Sequence, residues 1–274
     1  MWHEFIIKYY DDQKEPLTAV LFGLGCEGIS EEPGVLKAYF PESVPPEQVS
    51  EALRTFDDVR VEHASLEEQD WYKSWKDSFS PFEVDGIVVC PPWKECMPMH
   101  DKKLMLLDPG QAFGAGEHIT TQTVMKMMRA WVELQSDLPT KRFLDLGTGT
   151  GILAITAYLL GIKDITAVDV EVRAVETAAR NFALNGMVGK VRLMPGSISE
   201  AGKGYDLIAA NIFLEVLVEI IPQVASALNP GGRLIISGFL AGQKEEMIKA
   251  AGAAGLILEE IVDDGRWVSA LLRA

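Results

Sequence analysis

The sequence predicts an α/β protein in two parts: a Rossmann-like doubly wound sheet ending in an antiparallel hairpin, and before it a small α+β domain of ferredoxin-like order. Three observations carry this reading. From residue 142 onward short apolar strands alternate with helical stretches, the pattern of a parallel sheet covered on both faces. LDLGTGTG, residues 144–151, runs a strand into a glycine-rich turn and a helix, the place where such sheets bind nucleotides. Residues 1–63 read β-α-β-β-α-β, the order of a split β-α-β unit. The chain has 274 residues, 48% hydrophobic and 24% charged, enough for one full core and a smaller second one, which excludes general disorder.

In the first domain, 1–63, the alternation from Trp2 to Tyr10 reads as a half-buried strand. PLTAVLFGLG places Pro16 at a helix start and Gly25 at its end. Strands are expected around 28–30 and 35–40, a helix over EQVSEALRTF and a fourth strand at VRVEH. Residues 64–82, charged and closed by Pro81, are expected to form a connecting helix with Trp71 and Trp75 on one face, packing the hinge, the alternative being direct contact with substrate. The second domain, 83–274, includes a helix starting near Ile119 with Thr120 or Thr121 as its cap. RFLDL precedes a helix from about Gly151, and DITAVD precedes one that runs through Asn185. KVRLM and YDLIAA follow as strands, then the helix FLEVLVEIIPQVASAL, the strand RLIISG and the helix QKEEMIKAAGAAG. LILEEIV and WVSALLR flank DDGR, a hairpin expected to set an antiparallel strand at the sheet edge.

Charge narrows the partners. Twenty-five Lys and Arg against 40 Asp and Glu give a net −15, a surface that repels phosphate backbones and anionic lipid, so no direct nucleic-acid or membrane partner is expected. Residues 1–63 hold 5 basic and 13 acidic side chains, a net −8; a partner of that domain should be basic. Cys26, Cys90 and Cys96 are odd in number and lack C-x-x-C spacing, which suggests neither a disulfide framework nor a zinc site and points to a reducing cytoplasm. The opening MWHEFIIKYYDD carries an acid at Glu4 and no unbroken apolar run, so neither secretion nor membrane spanning is expected.

The chemistry concentrates in four places. Gly147, Gly149 and Gly151 make a tight turn, but Ile152 stands where G-x-G-x-x-G needs its last glycine, so a dinucleotide's pyrophosphate is poorly served. Asp145, just before the turn, would repel a diphosphate and face a cationic adenosine compound. Asp169 lies 22 residues after Gly147 at the end of the next strand, where a carboxylate accepts hydrogen bonds from ribose hydroxyls. Asn211 closes the fourth strand of the sheet; its amide oxygen can accept from an amine, and the alternative is an Asx-type cap on the next helix. The fourth place is the aperiodic loop DPGQAFGAGEHITT, 108–121, with Phe113 able to stack on a base and His118 beside it. His3, His63 and His100 have no carboxylate or cysteine constellation in the sequence and carry no assignment.

Together these segments resemble a family, the bacterial methyltransferases that modify large-subunit ribosomal protein eleven. The resemblance rests on DPGQAFGAGEHITT, LDLGTGTGILAI, AVDVE with Ala174, NFALNG, YDLIAANI, PGGRLIISGFLAGQ and Trp267, in family order over nearly all of 67–274. Upstream, WYKSWKDSFSPF and CPPW resemble the family's connecting segment; residues 1–63 match in element order more than in wording. It implies a class I S-adenosylmethionine-dependent methyltransferase fold and an enzyme that trimethylates amino groups of a basic ribosomal protein, leaving S-adenosylhomocysteine; a monomer is expected. The small N-terminal domain would recognise that protein. By motif, Thr121, Gly147, Asp169 and Asn211 would bind the cofactor, Asn211 would also orient the amine, and Phe113 and His118 fall in the same loop. The chain departs from family wording at Ala115, Thr148, Thr150 and Glu171, changes that touch fine geometry and keep the glycines and acids. The competing readings are a dehydrogenase on the same sheet, a non-catalytic ribosome-binding module, and a related enzyme acting on a different protein lysine.

Overall fold

The computed structural model describes residues 2–10, 13–26, 28–32, 34–56, 58–66, 80–97, 101–109, 116 and 118–274. Its contacts divide the chain into two compact units, 1–79 and 80–274.

The first unit runs β1 (Trp2–Lys8), α1 (Lys14–Gly23), β2 (Gly28–Glu32), β3 (Val35–Pro41), α2 (Pro46–Leu53) and β4 (Arg60–Leu66). Its antiparallel sheet has the order β2-β3-β1-β4. Period-two alternation sends Phe5 and Ile7 of β1 and Leu36, Ala38 and Phe40 of β3 to one face, where they bury against Leu17 and Leu21 of α1 and Val49 and Leu53 of α2. Phe5 and Phe40 meet edge to face, 5.5 Å between centroids. The strand continues through residues 64–66, which the sequence assigns to a connecting helix: alternating polar side chains with one apolar Leu66 suit a strand as well as a helix. The remainder of that segment, 67–79 with Trp71 and Trp75, lies outside the described residues.

The second unit opens with a three-stranded sheet absent from the sequence expectations, β5 (Phe82–Val84), β6 (Ile87–Cys90) and β7 (Lys103–Leu106). Asp85 and Gly86, at φ 45° and 74°, turn β5 into β6 through a two-residue loop in which both positions need positive φ. At the end of β6 the turn at Pro91 and Pro92, closed by Lys94 N–H to Pro91 O at 3.1 Å, reverses the chain. Cys96 thereby returns to Cys90 with Cα atoms 6.3 Å apart, and the two form a disulfide. This corrects the expectation from cysteine spacing, which carries no sign of a local turn; Cys26 is buried outside any disulfide, its Sγ donating to Gly28 O at 3.1 Å.

The main sheet contains β8 (Arg142–Leu146), β9 (Asp164–Asp169), β10 (Val191–Pro195), β11 (Tyr205–Asn211), β12 (Leu228–Leu240), β13 (Ile257–Asp263) and β14 (Trp267–Arg273) in the order β10-β9-β8-β11-β12-β14-β13. The first five are parallel and β14 is antiparallel to both neighbours. The hairpin thus inserts its second strand inside the sheet and leaves β13 at the edge. Helices α3 (Ile119–Glu133), α4 (Ile152–Leu160) and α5 (Val172–Leu184) cover one face, burying Val124, Met128 and Ile155 on Phe143, Leu207 and Ile235. The short α6 (Ile198–Ala201), α7 (Leu214–Ala227) and α8 (Lys244–Ala253) cover the other, with Leu217, Ile221 and Met247 on Leu144, Ile208 and Ile236. Adjacent strand residues alternate between the two cores, which is why these strands read as unbroken apolar runs. Among the described residues no helix is long and apolar enough to cross a membrane.

Candidate functional site

Strand β8 delivers its chain into the glycine turn. Gly147, Gly149 and Gly151 all have positive φ, 74°, 53° and 85°, a region that side chains with Cβ avoid. A Cβ on Gly147 would meet Ile212 Cγ2 at 2.5 Å, and one on Gly151 would meet Phe182 Cε1 at 2.7 Å. The first glycine therefore lets the turn lie against Ile212, just past the end of β11, and the last lets α4 sit on α5. Asp169, at the end of β9, accepts the Gly149 N–H at 2.8 Å on Oδ2 and the Glu171 N–H at 3.0 Å on Oδ1. Two of the carboxylate's roughly four acceptor positions are used, and the others remain for a ligand.

Asp145 does not face a ligand. It is fully buried under the turn, where Oδ2 accepts from the Thr148 hydroxyl at 2.7 Å and from Ala154 N–H at 3.0 Å, and Oδ1 has no partner among the described residues. Burial outweighs those two hydrogen bonds and pushes its carboxyl up to about 7. The sequence placed it correctly before the turn, but alternation along β8 aims its side chain into the layer beneath α4. Thr148, a departure from family wording, supplies one of those two hydrogen bonds.

At α3 the N-cap is His118 rather than Thr120 or Thr121: its Nδ1 accepts the Thr120 N–H at 3.4 Å and lies 2.7 Å from Thr120 Oγ1. The two threonine hydroxyls instead receive Asn211, whose Nδ2 donates to Thr120 Oγ1 at 3.3 Å and Thr121 Oγ1 at 3.1 Å. Asn211 caps nothing; Phe213 is the N-cap of α7. With its amino group held by α3, the amide presents Oδ1 on the other side. The His118 ring stands edge-on to Trp267, 5.0 Å between centroids and at 82°, and its pKa is lowered by burial and by Arg266, against the opposing charge of Asp264.

These groups converge on one cavity of about 360 Å³ at the carboxyl ends of the strands, the expected location in a doubly wound sheet. His118, Thr120, Thr121, Gly147, Gly149, Asp169 and Asn211 line it, and Asp145 and Gly151 do not. Phe113 lies outside the described residues. Leu146, Val170, Ile212, Phe213 and Trp267 supply apolar wall, Asp169 and Glu171 supply its acids, and among the described residues no lysine or arginine lines it. Such a wall suits an adenine and a cationic sulfur and gives a diphosphate no counter-charge. Sequence reasoning missed Asn181 of α5, fully buried, whose Oδ1 accepts Asp108 N–H at 2.8 Å and whose Nδ2 donates to Asp108 O at 2.9 Å and Thr150 O at 2.8 Å. One turn on, Asn185 exchanges the same pair with Leu106, at 3.0 and 2.6 Å. The pair of asparagines at i, i+4 in NFALNG was the available signal, since a buried amide on a helix must find backbone partners.

Over residues 1–274 the chain matches the family described as Ribosomal protein L11 methyltransferase (PrmA). The chain belongs to that family. It is 40% identical over 208 residues to the Ribosomal protein L11 methyltransferase of Symbiobacterium thermophilum, covering 75% of this chain and 66% of that protein. The relative of the same name from Staphylococcus saprophyticus is 31% identical over 278 residues, 97% of this chain and 85% of that protein. Among solved structures, the ribosomal protein L11 methylase from Lactobacillus delbrueckii subsp. bulgaricus matches with a TM-score of 0.60 and 30% identity over 69% of this chain and 94% of its own. Membership makes the second unit a class I S-adenosylmethionine-dependent methyltransferase, and the dehydrogenase and non-catalytic readings fall away.

Proposed function

We propose that the chain transfers methyl groups from S-adenosylmethionine to amino groups of ribosomal protein L11, in the cavity between the glycine turn and Asn211. The observation that carries this is the Asn211 amide: its amino group is held by Thr120 and Thr121, and its oxygen remains to accept from an amine. In this reading Asp169 accepts the ribose hydroxyls, Gly147 and Gly149 admit the cofactor to the backbone, and Thr121 and His118 border its sulfur end; Phe113 is kept as a cofactor-binding candidate on its motif alone. Asp145 and Gly151 shape the turn from below.

S-adenosylmethionine supplies an electrophilic methyl group on a cationic sulfur. The chain's residues must supply an unprotonated amine in line with it. A lysine of pKa about 10.4 is charged at pH 7, and removing its proton costs about 4.6 kcal/mol. The apolar wall of Leu146, Ile212, Phe213 and Trp267 disfavours the ammonium by desolvation, so its proton leaves to water before or during entry. Asn211 Oδ1 then holds one amine N–H and aims the lone pair, and orientation carries the step. His118 is poorly placed to act as a base, because its Nδ1 is occupied by Thr120.

The N-terminal unit, in this reading a ferredoxin-like domain whose last strand runs to Leu66, recognises the protein substrate. Its net −8 favours a basic ribosomal protein and disfavours nucleic acid. A monomer working in the cytoplasm, where ribosomal proteins are made, completes the proposal. Incubating the enzyme with labelled S-adenosylmethionine and purified L11, followed by intact-mass and peptide analysis, should show L11 gaining whole methyl groups on lysine side chains or its N-terminal amine. Label entering a different protein of a ribosomal extract, with L11 untouched, would favour the related enzyme with another substrate.

A further inference from the structure

Asn211 is useful to an amine only if its oxygen, and not its amino group, faces the cavity, and Thr121 alone does not decide which. A threonine hydroxyl serves an amide in either orientation, as acceptor from Nδ2 or as donor to Oδ1. Thr120 breaks the symmetry. His118 Nδ1 accepts the backbone N–H of Thr120, which requires that nitrogen to be unprotonated; a proton there would face another proton. An unprotonated Nδ1 at 2.7 Å from Thr120 Oγ1 takes the hydroxyl hydrogen. The Thr120 oxygen then has only lone pairs to offer Asn211, and it receives Nδ2.

We propose that His118 is a positioning residue, a neutral Nε2–H imidazole that orients the Thr120 hydroxyl and through it fixes the Asn211 oxygen toward the amine. The proposal rests on the methyl-transfer reading above and assigns His118 a task beyond bordering the cofactor. Protonation of His118 places a hydrogen on Nδ1 and evicts the Thr120 hydroxyl hydrogen, whose nearest remaining acceptor is the Asn211 oxygen with the amide turned over. The amine then meets a donor instead of an acceptor. Among the described residues the charged groups facing the ring are Arg266 and Asp264, from the β13–β14 turn; Asp169 and Glu171 line the same cavity. Burial and Arg266 together keep the ring neutral to lower pH than an ordinary histidine.

The test uses the full-length enzyme and combines kinetics with nitrogen-15 NMR. In the wild type, log kcat should fall with pH as the amine protonates and show an added step, on the order of 10-fold, at the His118 pKa below its ordinary value. His118→Asn keeps an N-capping oxygen and cannot titrate; whatever the height of its high-pH plateau, its log kcat should fall with the amine alone and lack the added step. Thr120→Val should lower kcat on the order of 5-fold with KM for the cofactor unchanged, and Thr120→Ser should restore it. In the free enzyme the His118 ring should show an unprotonated Nδ1, and titrating it should move the Asn211 side-chain amide resonances. An Nδ1–H tautomer, an added step that survives in His118→Asn, or a Thr120→Val enzyme with unchanged kcat would each overturn the proposal. Should the wild type transfer no methyl to any amine, the functional reading fails, and the tautomer and the Asn211 response still decide the relay.

Discussion

Asp145 shows how one carboxyl changes role between the sequence and the fold. Its folded pKa of about 7 lies above that of an exposed aspartate, so folding takes up a proton. The native state is therefore favoured at low pH, and that stability is lost as pH rises from about 4 to about 7. Asp145→Asn cannot ionise, and its stability relative to wild type should rise by on the order of 4 kcal/mol between pH 4 and pH 8. Urea unfolding across that range measures this; parallel pH profiles would contradict it. Asp169, which keeps acceptor positions open to the cavity, behaves differently. Asp169→Ala should weaken S-adenosylmethionine binding by about 1.5 to 3 kcal/mol, read by calorimetry, and unchanged affinity would remove Asp169 from the cofactor site.

At the level of elements, what the sequence made legible follows from period and punctuation. Strands with alternating cores, such as Phe143 and Leu144 on β8, and glycines with positive φ left strong local marks. The β5–β6 hairpin was also written in the chain as Asp85-Gly86, but strands of three and four residues carry too few positions to register a period. Contacts between side chain and distant backbone left less trace. The Asn181 and Asn185 clamp joins residues more than seventy positions apart in the chain, and nothing local announces its partners. Removing it leaves the Asp108 amide and the Asp108 and Thr150 carbonyls without their bonds. Asn181→Ala should therefore cost about 2 to 4 kcal/mol in stability and weaken cofactor binding, because α5 no longer ties the start of the 108–121 loop to the glycine turn. Calorimetry on the folded variant checks the second effect; full affinity would mean the clamp serves stability alone.

For the whole molecule, the two units carry separate cores, and the proposal divides labour along that line. Deleting residues 1–63 should leave S-adenosylmethionine affinity within a few-fold of the full chain and abolish methylation of intact L11; a truncated enzyme that methylates L11 at a comparable rate would remove the recognition role. The −8 charge further implies that the full-length complex with L11 weakens as salt rises. The account as a whole meets its most direct test in single-turnover methyl transfer from saturating S-adenosylmethionine to L11, comparing wild type with Asn211→Ala. The account predicts transfer by the wild type and a chemical step slowed roughly 5- to 150-fold in the variant, with cofactor affinity reduced far less. A variant that transfers at the wild-type rate while binding the cofactor poorly would contradict it, and the amine would have to be held by other groups of the cavity.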